Sequence, residues 1–446
     1  MNFLNDTIVA ISTPLVTAAL GIIRISGPQS LTLTKKLTQK QQYKPHRATL
    51  TWINLSPELK DQAVVTFYPA PRSYTGEDLV EISVHGNPLL MKLVIRELIN
   101  RNARMADRGE FTRRAFLNGK IDLSQADAVL AMVNAKSLKG LTHAANSLEG
   151  KISSTISRAL DYIDQTAAEL EVCIVNYDAL TDNFLKRFET VKNIIKQLKL
   201  WAELTSEDLN TPEVILLGSP NAGKSTIFNK IIGEERVIVS EFPGTTRDVV
   251  RELVNFDELT AMLVDGAGIT QRQYNVNKIE QKGMQFLTDK LKQAKLIILI
   301  FDITTNWQEQ YQHFKKIVDS KPCLLVLNKT DLMENLPSSH HDAIMISAES
   351  GENFEKFKSS ISKKLTELVN ISDQQNQAGY LSQRASQLCY LAWESINKAD
   401  QFLAEQIWDL ASEEIKQVRK YLGSIIGRDV SPGDLVKFFD RFCIGK

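Results

Sequence analysis

The segment Gly218-Ser-Pro-Asn-Ala-Gly-Lys-Ser225 restricts the fold of this chain more than any other feature of the sequence. It directly follows the apolar run Val214–Leu217, which is typical of a strand, and it precedes a helix that is predicted to begin near Lys224. In that context the backbone N–H groups wrap a phosphate at the helix N-terminus, the lysine reaches further phosphates, and the Ser225 hydroxyl binds Mg²⁺. A chance glycine-rich turn would lack this context. The segment therefore predicts a P-loop in an α/β domain.

Two further segments indicate which nucleotide is bound. Asp265-Gly266-Ala267-Gly268 ends an apolar run and fits a DxxG motif, and Asn328-Lys329-Thr-Asp331 ends another and fits NKxD. The Asp331 carboxylate can accept hydrogen bonds from the N1–H and the 2-amino group of guanine, whereas adenine offers neither in that geometry. This disfavours an ATPase or a kinase. The predicted GTP-binding residues are Asn221, Ala222, Gly223, Lys224, Ser225, Thr226, Ser240, Glu241, Phe242, Pro243, Gly244, Thr245, Thr246, Asp265, Gly266, Ala267, Gly268, Asn328, Lys329, Asp331, Ser347, Ala348 and Glu349.

The catalytic residues are less well defined by the motifs. The pair Thr245–Thr246 lies where a switch threonine reaches Mg²⁺ and the γ-phosphate. Gly268 is followed by Ile269, so the water-positioning glutamine of Ras-type enzymes is missing. Glu280 is one candidate for that role, and the Asn221 carbonyl could hold K⁺ in place of an arginine finger. A surface glutamate and a turn asparagine remain the alternatives.

Proline placement predicts the domain organisation. Seven prolines lie from Pro14 to Pro88, and then none occurs until Pro212 or between Pro337 and Pro432, which permits long helices. Residues 213–369 alternate strand-like and helix-like runs, typical of a mostly parallel sheet. We predict a multidomain α+β and α/β protein with a doubly wound P-loop GTPase domain inserted into an all-α domain. The predicted limits are 1–118 for an N-terminal mixed α/β domain, 119–210 and 372–446 for the two parts of the helical domain, and 211–371 for the GTPase domain.

Composition is that of an ordinary globular protein. Lys+Arg and Asp+Glu both count 53, so the formal net charge is zero. This argues against binding of nucleic acid through the overall charge of the molecule. Residues 92–120 hold eight Lys or Arg against three Asp or Glu, and this predicts either a local basic face or a solvated helix face. The four cysteines are far apart, so neither a disulfide framework nor a zinc site is indicated. With no signal pattern and no apolar run long enough to span a bilayer, we expect a cytoplasmic protein without stable membrane insertion.

The chain ends in Cys443-Ile-Gly-Lys446. Its cysteine could be an unreactive buried thiol, a nucleophile or a redox group, and the spacing of residues alone does not distinguish these roles. Together with Asp6–Ala10, Gly21–Gly27, Tyr74–Asp78 and the other motifs, this tail resembles the bacterial tRNA-modification GTPase family MnmE (TrmE). The remaining motifs that carry the resemblance are Val84–Gly86, Arg114–Asn118, Pro220–Ser225 and Gly244–Asp248.

The resemblance implies a homodimer formed through the N-terminal domain, which binds 5-formyl-tetrahydrofolate or a related reduced folate. It implies that Arg24, Glu81, Lys120 and Lys446 contact the folate and that Cys443 is needed for modification but not for GTP hydrolysis. It implies Mg²⁺ at Ser225 and Thr246, K⁺ at Asn221, Ser240, Phe242 and Thr245, and Glu280 as the residue that orients water. It also implies a flavin-dependent partner, MnmG, with which the dimer builds an aminomethyl or carboxymethylaminomethyl-type group on C5 of the wobble uridine of certain tRNAs.

Two departures from the family pattern concern backbone freedom. Leu15–Ala19 replaces a glycine-rich stretch, and β-branched residues there do not easily take positive φ. Gly266 replaces a threonine. The competing interpretation is a ribosome-assembly or regulatory GTPase without modification chemistry, which would lack both the N-terminal domain and the Cys443–Lys446 tail.

Overall fold

The computed structural model divides the chain into two compact units. The first comprises residues 1–133, 145–202 and 379–446, and the second comprises 134–144 and 203–378. The structure describes residues 6–135, 138–176, 180–208, 212–235, 251–257, 259–266, 291, 294–318, 321–333, 343–369 and 378–445.

The N-terminal part of the first unit is built on a mixed six-stranded sheet in the order β3-β4-β5-β2-β1-β6, in which only the β1–β6 pair is parallel. Its elements in chain order are β1 (Ile8–Ile11), β2 (Ala18–Ser26), α1 (Ser30–Thr38), β3 (Thr49–Asn54), β4 (Lys60–Tyr68), β5 (Leu79–Gly86), α2 (Pro88–Asn100), β6 (Arg104–Met105) and α3 (Glu110–Leu117).

Alternation along the strands decides which face of this sheet is covered. Val9 packs in the core that α1 and α2 close, while Ile8 and Ala10 point to the opposite face and contact Phe111 of α3. The start of α2 is fixed by Asn87, whose side chain accepts hydrogen bonds from the N–H groups of Leu89 and Leu90. These contacts place α1 and α2 on one face and α3 on the other.

The described residues of 119–210 form four helices: α4 (Leu123–Asn134), α5 (Leu138–Leu148), α6 (Lys151–Asn176) and α7 (Asp182–Asp208). The absence of proline from 89 to 211 predicted long helices in this part of the chain.

The second unit holds a six-stranded sheet that is parallel except for one edge strand. Its order is β12-β11-β10-β7-β9-β8, and β8 runs antiparallel to β9. The elements are β7 (Glu213–Gly218), α8 (Lys224–Glu235), β8 (Arg251–Phe256), β9 (Leu259–Asp265), β10 (Ala294–Asp302), α9 (Trp307–Val318), β11 (Cys323–Asn328), β12 (Ala343–Met345) and α10 (Phe354–Val369). Two apolar clusters cover the two faces, which makes the sheet doubly wound.

The chain then returns to the first unit with α11 (Gln383–Ala404), α12 (Trp408–Ile426) and α13 (Pro432–Phe439). Phe438, Phe439 and Phe442 pack against Leu123 and Ala126 of α4, so the end of the chain joins the first part of the helical stretch. The predicted fold class is confirmed, and the four domain limits stay a prediction.

The apolar run Val214–Leu217 that predicts a strand before the P-loop lies in β7, and the apolar runs that end at Asp265 and Asn328 are β9 and β11. No strand was predicted at β2, β3, β6 or β8. Among residues 15–19 no backbone takes positive φ, so this non-glycine segment does not need the conformation that its β-branched residues disfavour. In the described part of the chain, no helix is long and apolar enough to cross a membrane.

Candidate functional site

The carboxyl ends of four parallel strands carry the candidate nucleotide site. The predicted P-loop follows β7, Asp265 ends β9, Asp302 ends β10 and Asn328 ends β11. Because these strands are parallel, their carboxyl ends meet at one edge of the sheet, where open α/β sheets bind ligands.

Two glycines of the P-loop are required by the backbone. Gly218 has φ +150°, and a Cβ there would lie 1.8 Å from the Ile300 carbonyl oxygen. Gly223 has φ +88°, and its Cβ would lie 2.2 Å from Asn328 Nδ2. Asn221 takes the left-handed conformation at φ 59°, which asparagine tolerates better than most residues. The loop is therefore shaped by close backbone approach to neighbouring strands.

Lys224 lies buried at the start of α8. Its Nζ donates hydrogen bonds to the carbonyl oxygens of Gly218 at 3.0 Å and Ser219 at 2.7 Å. Burial lowers the pKa of this ammonium, and the nearby Asp265 carboxylate opposes that shift. An ammonium held inside the loop by two carbonyls can transfer its donors to phosphate oxygens.

Ser225 and Asp265 offer the oxygen ligands that Mg²⁺ prefers. Ser225 Oγ donates a hydrogen bond to Asp265 Oδ2 at 3.3 Å, so a hydroxyl and a carboxylate oxygen face each other beside the P-loop. The donor chemistry fits a magnesium ion.

Asn328 joins the P-loop to the predicted base loop. Its Nδ2 donates to the Ala222 carbonyl at 2.9 Å, and its Oδ1 accepts from the Ala348 N–H at 2.9 Å. Ser347 is buried beside it, whereas Thr226, Asp331 and Glu349 are exposed at the surface. The structure thus brings the phosphate and base segments together and leaves Asp331 accessible to a nucleobase.

Lys329 lies in the left-handed region at φ 71° and its Nζ contacts Asp302 Oδ2 at 2.6 Å. Burial raises the pKa of the Asp302 carboxyl, but hydrogen bonds from Lys329 and Thr304 outweigh it and hold this pKa below its ordinary value. The ion pair fixes the backbone between Asn328 and Asp331.

Gly266 donates its N–H to the Leu216 carbonyl at 3.0 Å, and a Cβ at this position would lie 2.2 Å from that same oxygen. A glycine is thus what this backbone tolerates. The remaining predicted residues of the GTPase site lie outside the described residues: Ser240, Glu241, Phe242, Pro243, Gly244, Thr245, Thr246, Ala267, Gly268 and Glu280.

The predicted folate residues Arg24 and Glu81 face each other on adjacent strands. Arg24 Nε donates to Glu81 Oε1 at 2.8 Å, and its guanidinium lies 5.4 Å from the centre of the Tyr74 ring. Lys120 is exposed, and its Cγ lies beside Gly76, two residues after that tyrosine. Lys446 lies outside the described residues. The segment around Tyr74 therefore runs past both Arg24 and Lys120.

The chain's last residues dock onto the N-terminal domain. The Cys443 carbonyl accepts a hydrogen bond from the Gly109 N–H at 3.3 Å, and Ile444 forms an antiparallel bridge with Arg108. The Ser12 hydroxyl donates to the Gly445 carbonyl at 3.2 Å. The Cys443 side chain stays exposed, so this docking leaves the thiol accessible.

Comparisons with known proteins give separate matches for the N-terminal part and for the GTPase domain. Residues 7–120 match the family model described as GTP-binding protein TrmE N-terminus, and residues 213–329 match the model described as 50S ribosome-binding GTPase. The chain is 36% identical over its whole length to the tRNA modification GTPase MnmE of Francisella tularensis subsp. novicida, and it covers 100% of that protein. The chain belongs to the tRNA modification GTPase MnmE family.

The Francisella philomiragia protein of the MnmE family is 35% identical, again with 100% of both chains covered. Among solved structures, the G domain of the T. maritima FeoB iron transporter is 22% identical with a TM-score of 0.27, covering 36% of this chain and 100% of that one.

Sequence reasoning missed an ionic cluster in this member of the MnmE family. Arg114 is 1% exposed, and its guanidinium contacts Asp6 at 2.5 Å, Glu110 at 3.0 Å and Glu77 at 3.1 Å. Arg104 also pairs with Asp6 and Glu110. Burial raises the pKa of Glu110, but bonds from the two arginines and a backbone N–H hold it below its ordinary value.

This cluster changes the interpretation of residues 92–120. Arg101, Arg104, Arg113 and Arg114 are all engaged by carboxylates, so half of the eight cations behind the local positive surplus are paired within the fold. The hypothesis of a basic face is therefore weakened. The i,i+4 spacing of Glu110 and Arg114 was the one available signal, and it could not show the distant partner Asp6.

Proposed function

We propose that this GTP-hydrolysing enzyme of tRNA modification acts with a flavin-dependent MnmG-type partner. The reaction would add an aminomethyl or carboxymethylaminomethyl-type group to C5 of the wobble uridine of certain tRNAs. The observation that carries the proposal is the docking of the Cys443 segment on the N-terminal domain, in a chain whose whole length matches tRNA modification GTPases.

In the GTPase domain, Lys224 would move its donors from the loop carbonyls to the β- and γ-phosphates. Ser225, with Thr246, would hold Mg²⁺, which neutralises phosphate charge when bound. Asp331 would select guanine through N1–H and the 2-amino group. Glu280 would orient the attacking water.

K⁺ would be held by Asn221, Ser240, Phe242 and Thr245, and Asn221 is the member of this set within the described residues. Its exposed side chain in the left-handed turn of the P-loop supports the assignment, because an amide oxygen beside the phosphates suits a monovalent cation. When bound, K⁺ supplies positive charge where other GTPases use an arginine finger.

In the N-terminal domain, Arg24, Glu81, Lys120 and Lys446 would bind 5-formyl-tetrahydrofolate or a related reduced folate, the donor of the one-carbon unit. The pairing of Arg24 with Glu81 supports this, since a guanidinium and a carboxylate side by side can meet the carboxylates and the N–H groups of a folate. Cys443 would act in the modification step. The domain would also mediate a homodimer, and a heterotetramer with the partner would work in the cytoplasm.

The competing function is a ribosome-assembly or regulatory GTPase, and the description of the model matched by residues 213–329 names ribosome binding. That model covers the GTPase domain alone. The match of residues 7–120 to the TrmE N-terminus and the docked tail favour modification chemistry.

Mass spectrometry of wobble nucleosides in a strain lacking this gene tests the proposal. We expect loss of the C5 modification, restored by the wild-type gene but not by the Cys443→Ser variant, which should hydrolyse GTP at the wild-type rate. Unmodified-uridine levels equal to those of the parent strain would instead support the regulatory function.

GTP hydrolysis should also be faster in K⁺ than in Na⁺, and equal rates would contradict the Asn221 assignment.

A further inference from the structure

Lys230 connects the helix that follows the P-loop to the base loop. It lies on α8, six positions after Lys224, and its Nζ donates to the Ala348 carbonyl at 3.0 Å. The same ammonium lies 5.1 Å from the centre of the Phe354 ring, at the start of α10. The side chain is half-buried. One lysine thus contacts both the base loop and the helix that follows it.

The contact closes a ring of hydrogen bonds. Ala222 of the P-loop accepts from Asn328, Asn328 accepts from the Ala348 N–H, and the Ala348 carbonyl accepts from Lys230. The helix α8 leads from Lys230 back to the P-loop. Ala348 is therefore held through both its N–H and its carbonyl. The N–H is connected to the P-loop through Asn328, and the carbonyl is connected to it through Lys230 and α8.

The turn that follows Ala348 leaves space for the Lys230 ammonium because position 351 is a glycine. Gly351 has φ +85°, and a Cβ on it would lie 3.1 Å from Lys230 Nζ. The Gly351 N–H donates to the Ser347 carbonyl, so the turn closes on itself while leaving room for the ammonium. Any side chain at 351 would crowd the ammonium as well as strain the backbone.

We propose that Lys230 is a positioning residue for guanine recognition. It acts through the base loop rather than by direct contact with the nucleotide. It fixes the peptide groups of Ser347–Glu349 relative to the P-loop, so that the phosphates and the base are bound by one preorganised frame. A charge-assisted bond to a carbonyl is stronger than a neutral one, and a preorganised loop loses less entropy when the nucleotide binds.

Calorimetric binding of GDP to the full-length protein tests the role. Lys230→Met keeps the aliphatic stem but removes the donors, and we expect about tenfold weaker GDP binding, the change that ~1.4 kcal/mol produces. Lys230→Arg keeps a cationic donor and should recover most of the affinity. Lys364→Met is the matched control, since Lys364 pairs with Glu367 on the surface of α10 in the same domain.

Competition by ADP separates positioning from general loosening of the domain. ADP shares the phosphates and ribose of GDP but not its base. Lys230→Met should therefore weaken GDP binding but not ADP binding, and lower the ratio of GDP affinity to ADP affinity about tenfold. In GTP hydrolysis, KM should rise while kcat at saturation stays near wild type. Unchanged GDP binding, or equal weakening of GDP and ADP, would overturn the proposal.

Discussion

The GTPase site and the N-terminal site are assembled by different physical means. In the GTPase site, short contiguous segments at strand ends take backbone conformations that few residues allow, as Gly218 and Gly223 show. In the N-terminal site, by which we mean the Arg24–Glu81 pair, the ion cluster around Arg114 and the docked tail, residues far apart in the chain meet through ion pairs and docking. Asp6 and Arg114 are 108 positions apart, and Ser12 and Gly445 are 433 apart. Residue identity is tied to close backbone fit in the first site and to ion pairs and docking in the second.

This difference predicts how each site fails. A substitution in the GTPase site should disturb the backbone of one domain. A substitution in the N-terminal site should leave partner charges or a docked segment without support, with GTP hydrolysis preserved.

The largest effect is expected for Gly218→Ala. The new methyl group would meet the Ile300 carbonyl oxygen at 1.8 Å on the central strand β10, at a φ that L residues rarely adopt. We expect a loss of about 4 kcal/mol in stability of the GTPase domain and no measurable GDP binding by calorimetry. Gly233→Ala in α8 is the control, because nothing lies within 4 Å of its Cβ and alanine favours helices. Wild-type GDP affinity in Gly218→Ala would show that the loop is not locked by backbone contact.

Glu110→Gln tests whether charge holds the N-terminal domain as backbone fit holds the GTPase domain. The variant removes the carboxylate charge that Arg104 and Arg114 share. We expect a loss of about 3 kcal/mol in unfolding free energy. Because the folded-state pKa of Glu110 is depressed, its stabilisation is present above its ordinary pKa and is lost as pH falls through the folded value. Denaturant unfolding from pH 7 downward should therefore show a steeper loss of stability in the wild type than in the variant. Parallel pH profiles would mean that Glu110 is not a source of acid sensitivity.

The same contrast explains what could be predicted from the sequence. The P-loop, Asp265 and Asn328 were identified because each motif requires its own strand-to-loop geometry, and parallel strands then bring their ends together. The family resemblance supplied Arg24 and Glu81, and their pairing follows from the β2–β5 register, which no motif displays.

Long-range partners could not be predicted. The Arg114 cluster appeared in the sequence as a positive surplus because Asp6 and Glu77 lie outside residues 92–120. Strands β2 and β3 are among those missed: β2 begins with exposed Ala18 and Ala19, and β3 exposes its apolar residues Leu50 and Trp52. Lys230 had no signal at all, since its partner is a backbone carbonyl.

Gly109→Ala tests the docking of the chain's last residues. Gly109 has φ +62°, and a Cβ there would lie 2.5 Å from the Phe439 carbonyl oxygen and 2.9 Å from Phe442 Cβ. We expect a cost of about 2 kcal/mol to the docked state, roughly thirtyfold in its equilibrium. Carboxypeptidase should then release the terminal residues faster, and wobble-uridine modification should fall while GTP hydrolysis is unchanged.

Gly150→Ala is the matched control for that variant. Gly150 shares a left-handed φ of +91°, but its nearest neighbour lies 3.7 Å from the Cβ position, in ordinary contact. The control should therefore carry the backbone strain without releasing the tail. Equal carboxypeptidase rates in the two variants would show that the contact with Phe439 does not hold the tail.

The smallest effect is expected for Arg24→Gln. The bond to Glu81 uses one of the five N–H donors of the guanidinium, and the Tyr74 ring supports its face, so the charge is held in place for a carboxylate ligand. We expect about tenfold weaker binding of 5-formyl-tetrahydrofolate in calorimetry, with the melting temperature little changed because the pair is partly exposed. Arg101→Gln removes a comparable, partly exposed pair with Glu97 on α2 and should leave folate binding intact. If both variants bound folate like the wild type, the N-terminal site would not depend on the Arg24 charge, and the contrast with the GTPase site would rest on the docked tail alone.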